Sequence, residues 1–364
     1  MKIKDITSYL EDFAPLYYQE DYDNCGLIVG NENIVVEGAL ITLDCTEDII
    51  DEAIEEGCNL VIAHHPIIFS AIKKLNGSNY IERVIIKAIK HDIAIYAMHT
   101  NLDNIKDGVN AKIADRLGLQ NTFVLSPKKD VLRQLTFYCP TKYVEKVRNA
   151  LFVVGAGSIG SYDQCSFSFS GRGTFRPSQK SNPFVGEIGK MHIEEEECVE
   201  VIFPTYLESD IILKLQETHP YEKIAYQIYF LDNMHQDIGS GLVGDLPHEV
   251  HADDFLKQLK AKMKVNCIRY TSIVRDTIKK VAVCGGSGSF LLSNAKSSGA
   301  DIYISADFKY HEFFDAAGDI IVADIGHYES EQFTKELIYD LLTKKFTKFA
   351  IRLSKVNTNP IKYL

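Results

Sequence analysis

An internal repeat limits what this chain can fold into more than any other feature. Glu56-Gly57-Cys58-Asn59-Leu60-Val61-Ile62-Ala63-His64-His65 can be laid over Ser298-Gly299-Ala300-Asp301-Ile302-Tyr303-Ile304-Ser305-Ala306-Asp307. Both read as a helix end, a Gly cap, an Asn or Asp, an apolar strand, then a small residue and polar groups. Upstream, residues 39–43 match 280–285 at nearly the same offset. Downstream, one strand runs into His99-Thr100-Asn101-Leu102-Asp103 and the other into His327-Tyr328-Glu329-Ser330-Glu331, so both endings are His-x-x-x-carboxylate. Two such halves facing each other would bring their strand ends to a shared cleft, where open α/β sheets place ligands.

Around the repeat, strands are expected at 39–43, 59–63 and 93–98, with helices at 47–56 and 80–90. The last third has strands at 281–283, 302–304, 320–322 and 349–353, a helix at 290–297 and one long helix over 329–345. Strands alternating with helices of this length imply right-handed crossovers and a largely parallel sheet. The middle changes to β-type alternation with Gly/Ser turns, as in Cys165-Ser166-Phe167-Ser168-Phe169-Ser170-Gly171-Arg172-Gly173, broken by helical stretches near 143–151 and 208–217. The fold class expected is therefore α/β: two similar halves forming one core domain (residues 1–127 and 233–364), with an α+β module inserted at 128–232. One continuous domain with an irregular middle is the alternative.

Composition narrows the function classes. With 39 Lys and Arg against 50 Asp and Glu, the chain of 364 residues carries a formal charge of −11, which opposes binding to phosphate backbones. No apolar stretch is long enough to cross a bilayer. The first twenty residues hold charges throughout and no apolar core of a secretory signal, and the eight cysteines include no CxxC pair. The expectation is a cytoplasmic protein with reduced thiols.

The residues that carry chemistry sit at the expected strand ends. His64-His65-Pro66 ends an apolar strand where the chain leaving the sheet can turn both imidazoles to one cleft, although one core and one surface histidine is the plainer reading. His327 and Glu331, four apart at a helix start, share a face and can share a metal; a solvated first turn is their alternative. Asp103 ends the equivalent segment of the other half, or makes an Asx-type turn. Together His64, His65, Asp103, His327 and Glu331 give a ligand count that fits two divalent ions, zinc first, with iron or manganese as alternatives. His99 reads as an orienting group before a ligand. Gly286 and Ser287 lie in a Gly-rich strand-to-helix loop that could offer N–H groups to an anion or be only a tight turn. Asp307, Lys309 and His311 line the same expected rim as substrate or proton-transfer candidates.

Taken in order, Asp23-Asn24-Cys25-Gly26-Leu27, Ala63-His64-His65-Pro66, His99-Thr100-Asn101-Leu102-Asp103, Gly285-Gly286-Ser287-Gly288-Ser289, Asp307-Phe308-Lys309-Tyr310-His311, Gly326-His327-Tyr328-Glu329-Ser330-Glu331 and Asn357-Thr358-Asn359-Pro360 resemble the NIF-three-like family, the GTP cyclohydrolase I type-two homologues. The middle, with Gly171-Arg172-Gly173-Thr174-Phe175-Arg176-Pro177 and His219-Pro220-Tyr221-Glu222, is similar to the family's long bacterial form, which carries a PII/CutA-like ferredoxin-type insert. The resemblance implies that His64, His65, Asp103, His327 and Glu331 are the five ligands of a dinuclear metal centre. It also implies a toroidal homohexamer with its metal sites facing the internal cavity. Two positions depart from the pattern: Tyr22 stands where relatives tend to have Trp, and Ser305-Ala306-Asp307 where they tend to have Thr-Gly-Asp. The function this implies is a metal-dependent hydrolase acting on a nucleotide or other phosphorylated small molecule. A non-enzymatic metal-binding or metal-chaperone hexamer with a ligand-sensing insert is the alternative, and a DNA-encircling ring is disfavoured by the charge.

Overall fold

Leu60-Val61-Ile62-Ala63 has no polar residue at any position, and all four are fully buried. A strand apolar on both sides is stable only with a neighbour on each edge and cover on each face, which is the setting of a central parallel strand. A computed structural model describes residues 1–364. It contains β1 (Gly26–Val29), β2 (Gly38–Thr42), β3 (Leu60–Ala63), β4 (Ala94–Ala97) and β5 (Gln120–Pro127), then β6 (Leu132–Pro140), β7 (Phe167–Phe175), β8 (His192–Pro204) and β9 (Tyr226–Phe230). The chain continues through β10 (Gly239–His251), β11 (Arg269–Tyr270), β12 (Thr277–Ser287), β13 (Ile302–Ala306), β14 (Ile321–Asp324) and β15 (Ala350–Leu353). The chain folds as two compact units, one of Met1–Ser126 with Asp237–Leu364 and the other of Pro127–Gln236.

The larger unit holds two sheets. The first has the order β1-β4-β3-β2-β15, parallel except for β1. The second has the order β11-β14-β13-β12-β10-β5, with β12, β13 and β14 parallel, β11 antiparallel to β14 and β10 antiparallel to β12. The repeat is thus real in three dimensions. An antiparallel edge strand followed by three parallel strands, β1-β4-β3-β2, recurs as β11-β14-β13-β12. The second sheet is more mixed than the alternating pattern implies, because short Arg269–Tyr270 and the long hairpin-like β10 carry little periodic signal of their own.

Amphipathic helices cover these sheets. Glu47–Glu55 and Tyr80–Lys90 turn Ile49, Ile50, Ala53, Val84, Ile85 and Ala88 onto the first sheet. Asn79 caps the second of them by accepting the Glu82 N–H. The expected helix over 329–345 is in fact two, His327–Glu331 and Thr334–Lys345. Phe333 at the break is buried beneath the Arg116 guanidinium, and Gln332 donates to the Met263 carbonyl. The break lets Glu329, Ser330 and Glu331 point inward while the next helix packs Ile338 and Leu342. No helix is long and apolar enough to cross a membrane.

The smaller unit is a four-stranded antiparallel sheet of order β7-β8-β6-β9, with helices Val144–Val153 and Glu208–Thr218 between its strands. Strand, helix, two strands, helix, strand with that order is the ferredoxin-like arrangement. Its core lies on one face only, where Leu135, Phe137, Val199, Val201 and Phe203 meet Val147, Leu151, Ile211 and Leu215.

Candidate metal centre

The parallel strands of both sheets end at one place. The chain leaving β3 supplies His64 and His65, that leaving β4 supplies His99 and Asp103, and that leaving β14 supplies His327 and Glu331. His65 Nε2 lies 3.0 Å from Glu331 Oε2, and His327 Nε2 lies 3.2 Å from the same oxygen. The other carboxylate oxygen, Oε1, is 3.8 Å from His64 Nε2, which is 3.7 Å from Asp103 Oδ1. The five side chains thus form two sets, His65–His327–Glu331 and His64–Asp103–Glu331, joined by the two oxygens of one carboxylate.

The imidazoles are held from behind. His64 Nδ1 contacts the Met98 carbonyl at 2.7 Å, and a carbonyl can only accept, so Nδ1 carries the proton. Burial pushes the His64 pKa down, which keeps the ring neutral and leaves Nε2 as a lone pair. His65 Nδ1 donates to Asp44 at 2.7 Å, His327 Nδ1 to Asp307 at 2.6 Å and His99 Nδ1 to Asp23 at 2.8 Å. Carboxylates behind imidazoles fix the tautomer and raise ligand basicity. Asp23 also accepts the Thr100 N–H and hydroxyl, and Asp44 accepts the Thr358 hydroxyl at 2.5 Å. Asp307 reaches His327 from a left-handed backbone, φ 58°, a conformation that Asp tolerates better than most residues.

Charge in the cluster is strongly coupled. Burial and the nearby Glu331 charge push the Asp103 carboxyl well above its usual range. For Glu331, burial is outweighed by the His327 charge and the surrounding imidazoles, and its pKa is lowered. Burial works against charge on His65, but the Asp44 hydrogen bond and Glu331 lift it to about 10; Glu331 and Asp307 likewise lift His327 to about 11.

Whether these residues suit a cation can be tested on their unsatisfied atoms. His64 Nε2, Asp103 Oδ1 and Glu331 Oε2 are buried and make no hydrogen bond. A buried acceptor left unpaired costs about 1–3 kcal/mol, more for a charged one. Three of them converging on one spot, beside two Nε2 atoms 3.3 Å apart on His65 and His327, is the donor set of nitrogen and oxygen that a divalent transition ion takes.

Not every sequence candidate joins the cluster. His99 does join it, as a third set: its ring is 5.3 Å from those of both His64 and His65, and the three imidazoles offer ligand atoms within 4.8 Å of one another. His311 is exposed and stacks on Tyr310 and Phe314 instead. Lys309 is also exposed, its N–H capped by Glu312. The Gly-rich loop is a packed turn and not an anion cradle at its start: the Gly285 N–H donates to Asn110 and the Gly286 N–H to Ser330. Gly286 matters differently, because a Cβ there, at φ 63°, would run into Glu331 Oε1. Ser287 continues β12 and pairs with Ala306. Asp44 and Asp324 have no marker in the sequence, and Asp23 and Thr358 stand in motifs to which the sequence alone assigns no role. Asp324 accepts the N–H groups of Phe308 and Gly326 and pairs with Arg269, tying together the two loops that present Asp307 and His327.

The model of the Duf34/NIF3 family (NGG1p interacting factor 3) matches residues 1–360. The chain belongs to that family. It is 40% identical over 365 residues to a Bacillus subtilis protein named GTP cyclohydrolase 1 type 2 homolog, covering 99% of this chain and 98% of that one. A Staphylococcus aureus protein of the same name is 34% identical over the whole of both chains. Among solved structures, a Bacillus cereus protein related to NIF3 superposes with a TM-score of 0.86 at 36% identity, covering 100% of this chain and 99% of that one. The chain is therefore a Duf34/NIF3 protein with a His/Asp/Glu cluster suited to a metal.

Proposed function

We propose that this protein is a metal-dependent hydrolase acting on a nucleotide or another phosphorylated small molecule, with two divalent cations, zinc first, per subunit. The observation that carries the reading is Glu331, whose two oxygens each face a separate set of nitrogen and oxygen ligand atoms, with His64 Nε2, Asp103 Oδ1 and Glu331 Oε2 buried and without a hydrogen bond. His65, His327 and Glu331 Oε2 would hold one ion, and His64, Asp103 and Glu331 Oε1 the other. Such ions supply an acidified water and an electrostatic clamp for negative charge developing on the substrate. The chain's own part is to keep the site rigid. Asp44, Asp307 and the Met98 carbonyl fix the imidazole planes. His99, anchored by Asp23 and adjoining both sets, is the group placed to hold or move a proton. The homohexameric toroid belongs to the same reading, and a monomeric mass by light scattering would refute it.

The test is metal analysis on freshly purified protein together with an activity panel of nucleotides and phosphoesters. The relatives' name puts GTP first in that panel, with formate release as readout. Turnover that disappears on chelation and in His65→Ala supports the hydrolase. Tight metal binding with no turnover, and transfer of the metal to an acceptor protein, would establish the metal-chaperone alternative instead.

A further inference from the structure

Two sequence motifs have no part in the metal centre, and both line one cavity of the smaller unit. The first, in β7, alternates so that Phe169, Gly171, Gly173 and Phe175 share a face. In the antiparallel register, Phe169 pairs with Cys198 and Gly171 with Glu196. This is the face opposite the helices. Two glycines lie between two phenylalanines: the Glu196 carboxylate fills the space over Gly173, and a hollow is left over Gly171, where an added Cβ would meet nothing within 4 Å.

The second motif walls the hollow. His219 accepts the Tyr221 N–H at Nδ1 and donates from Nε2 to the Tyr138 carbonyl, pinning the turn to β6. Tyr221 stands edge-on to Phe175, with ring centres 5.9 Å apart, and its hydroxyl donates to Glu196 Oε1 at 2.8 Å. Phe184 closes the other side, 6.3 Å from the Tyr221 ring. The cavity, open on one side, has a volume of about 570 Å³, within the ~300–1,000 Å³ range of small-molecule sites.

Glu196 gives the cavity its chemistry. It is only 8% exposed, yet it has no cationic partner, and its Oε2 accepts no hydrogen bond. That oxygen has no protein donor and is open to the cavity, where a bound N–H can reach it. Flat aromatic walls around a slot floored by glycine favour a planar ring. Exposed Lys223 at the lining, in no ion pair, favours an anionic substituent on that ring.

We propose that this cavity binds a planar heterocycle presenting N–H donors to Glu196, as the Watson–Crick edge of a guanine nucleotide does, with its phosphate toward Lys223. Adenine offers Glu196 a ring acceptor where guanine offers a donor, so the site discriminates between them. It lies in a different unit from the metal centre and does not depend on the hydrolase reading.

The experiment is calorimetric titration of the full chain with GMP, AMP and inorganic phosphate, repeated in a His64→Ala/His65→Ala background. GMP should bind in both backgrounds, AMP at least about tenfold more weakly, and phosphate not measurably. Glu196→Gln, in which the Tyr221 hydroxyl still has an oxygen to donate to, should weaken GMP about tenfold or more without changing the melting temperature. Gly171→Val fills open space on an edge strand and should abolish binding with the fold intact, while Lys223→Ala should cost a few-fold at low salt. No GMP binding at millimolar concentration, equal binding of AMP, or unchanged binding in Gly171→Val would overturn the proposal. Binding that vanishes with His64 and His65 would place GMP at the metal centre, overturning this proposal and leaving the hydrolase reading in force.

Discussion

Gly286→Ala tests the metal centre without touching a ligand atom. At φ 63° an added methyl would collide with Glu331 Oε1, with Glu331 Cδ at 3.3 Å and His327 Cε1 at 3.4 Å. Gly285, next to it, packs on Val109 and Ile113, so the loop has little room to retreat. The carboxylate must then swing by on the order of 1 Å, several times the ~0.2 Å tolerance of metal–ligand distances. Losing a group that merely orients a ligand costs about 10–100-fold in metal affinity, so displacing the shared ligand should cost at least that, or ~1.4–2.7 kcal/mol. The backbone penalty for Ala in the left-handed region, roughly 1–2 kcal/mol, comes in addition. Gly299→Ala supplies the control, since it has φ 74° and nothing within 4 Å of its added methyl. Both variants should melt a few degrees lower, but only Gly286→Ala should lose metal in competition titrations with a chelating dye. Equal affinity and stoichiometry in the two variants would refute the bridging role assigned to Glu331.

His64→Ala/His65→Ala should lose most bound metal by elemental analysis while keeping its circular dichroism, because the sheets are built by other residues; two ions per subunit retained would contradict the assignment. Asp307→Asn, at an exposed position, should weaken metal about 10–100-fold in a dye competition with stability changed by no more than about 0.5 kcal/mol in denaturant titration. Because His65 and His327 are lifted to about 10 and about 11, both are protonated at neutral pH until a cation displaces the protons. Metal affinity should therefore rise with pH, and calorimetry in buffers of different ionisation enthalpy should register proton release on binding. Excising residues 128–232 with a short linker should leave a soluble, metal-binding core, since β5 and β10, which flank the excision, are neighbours in one sheet; aggregation with every linker length would contradict this.

What could be read in advance was whatever depends on local pattern. Uninterrupted apolar runs marked β2, β3, β13 and β14, and the four-residue spacing of His327 and Glu331 put two ligands on one helical face. The backing groups were not legible, for a physical reason. Asp44, Asp23 and Thr358 reach His65, His99 and Asp44 across 21, 76 and 314 positions of chain, and each lies in irregular chain outside the helices and strands, where an Asp or Thr is ordinary. The break at Gln332 and Phe333 was hidden because both residues continue a helical polarity pattern. Only the tertiary partners, Met263 and Arg116, make leaving the helix favourable.

The repeat explains why these far-flung groups meet. A parallel strand delivers its next side chain at its C-terminal end, and three parallel strands in a half deliver three such positions side by side. In the first half, β2, β3 and β4 are followed by Asp44, by His64 and His65, and by His99. In the second, β12 ends in the Gly-rich stretch, and β13 and β14 are followed by Asp307 and His327. The halves are alike in topology but not in chemistry. The first supplies most of the imidazoles and the second the carboxylate shared between two of the sets, so His64, His65 and His99 group within one half while both sets containing Glu331 draw on the two halves. Gly286 occupies the place equivalent to a side chain in the first half, and its bareness is what admits Glu331 between the histidines. A duplicated scaffold with divergent strand ends thus accounts both for the position of the cluster and for its dependence on residues from the two extremes of the chain.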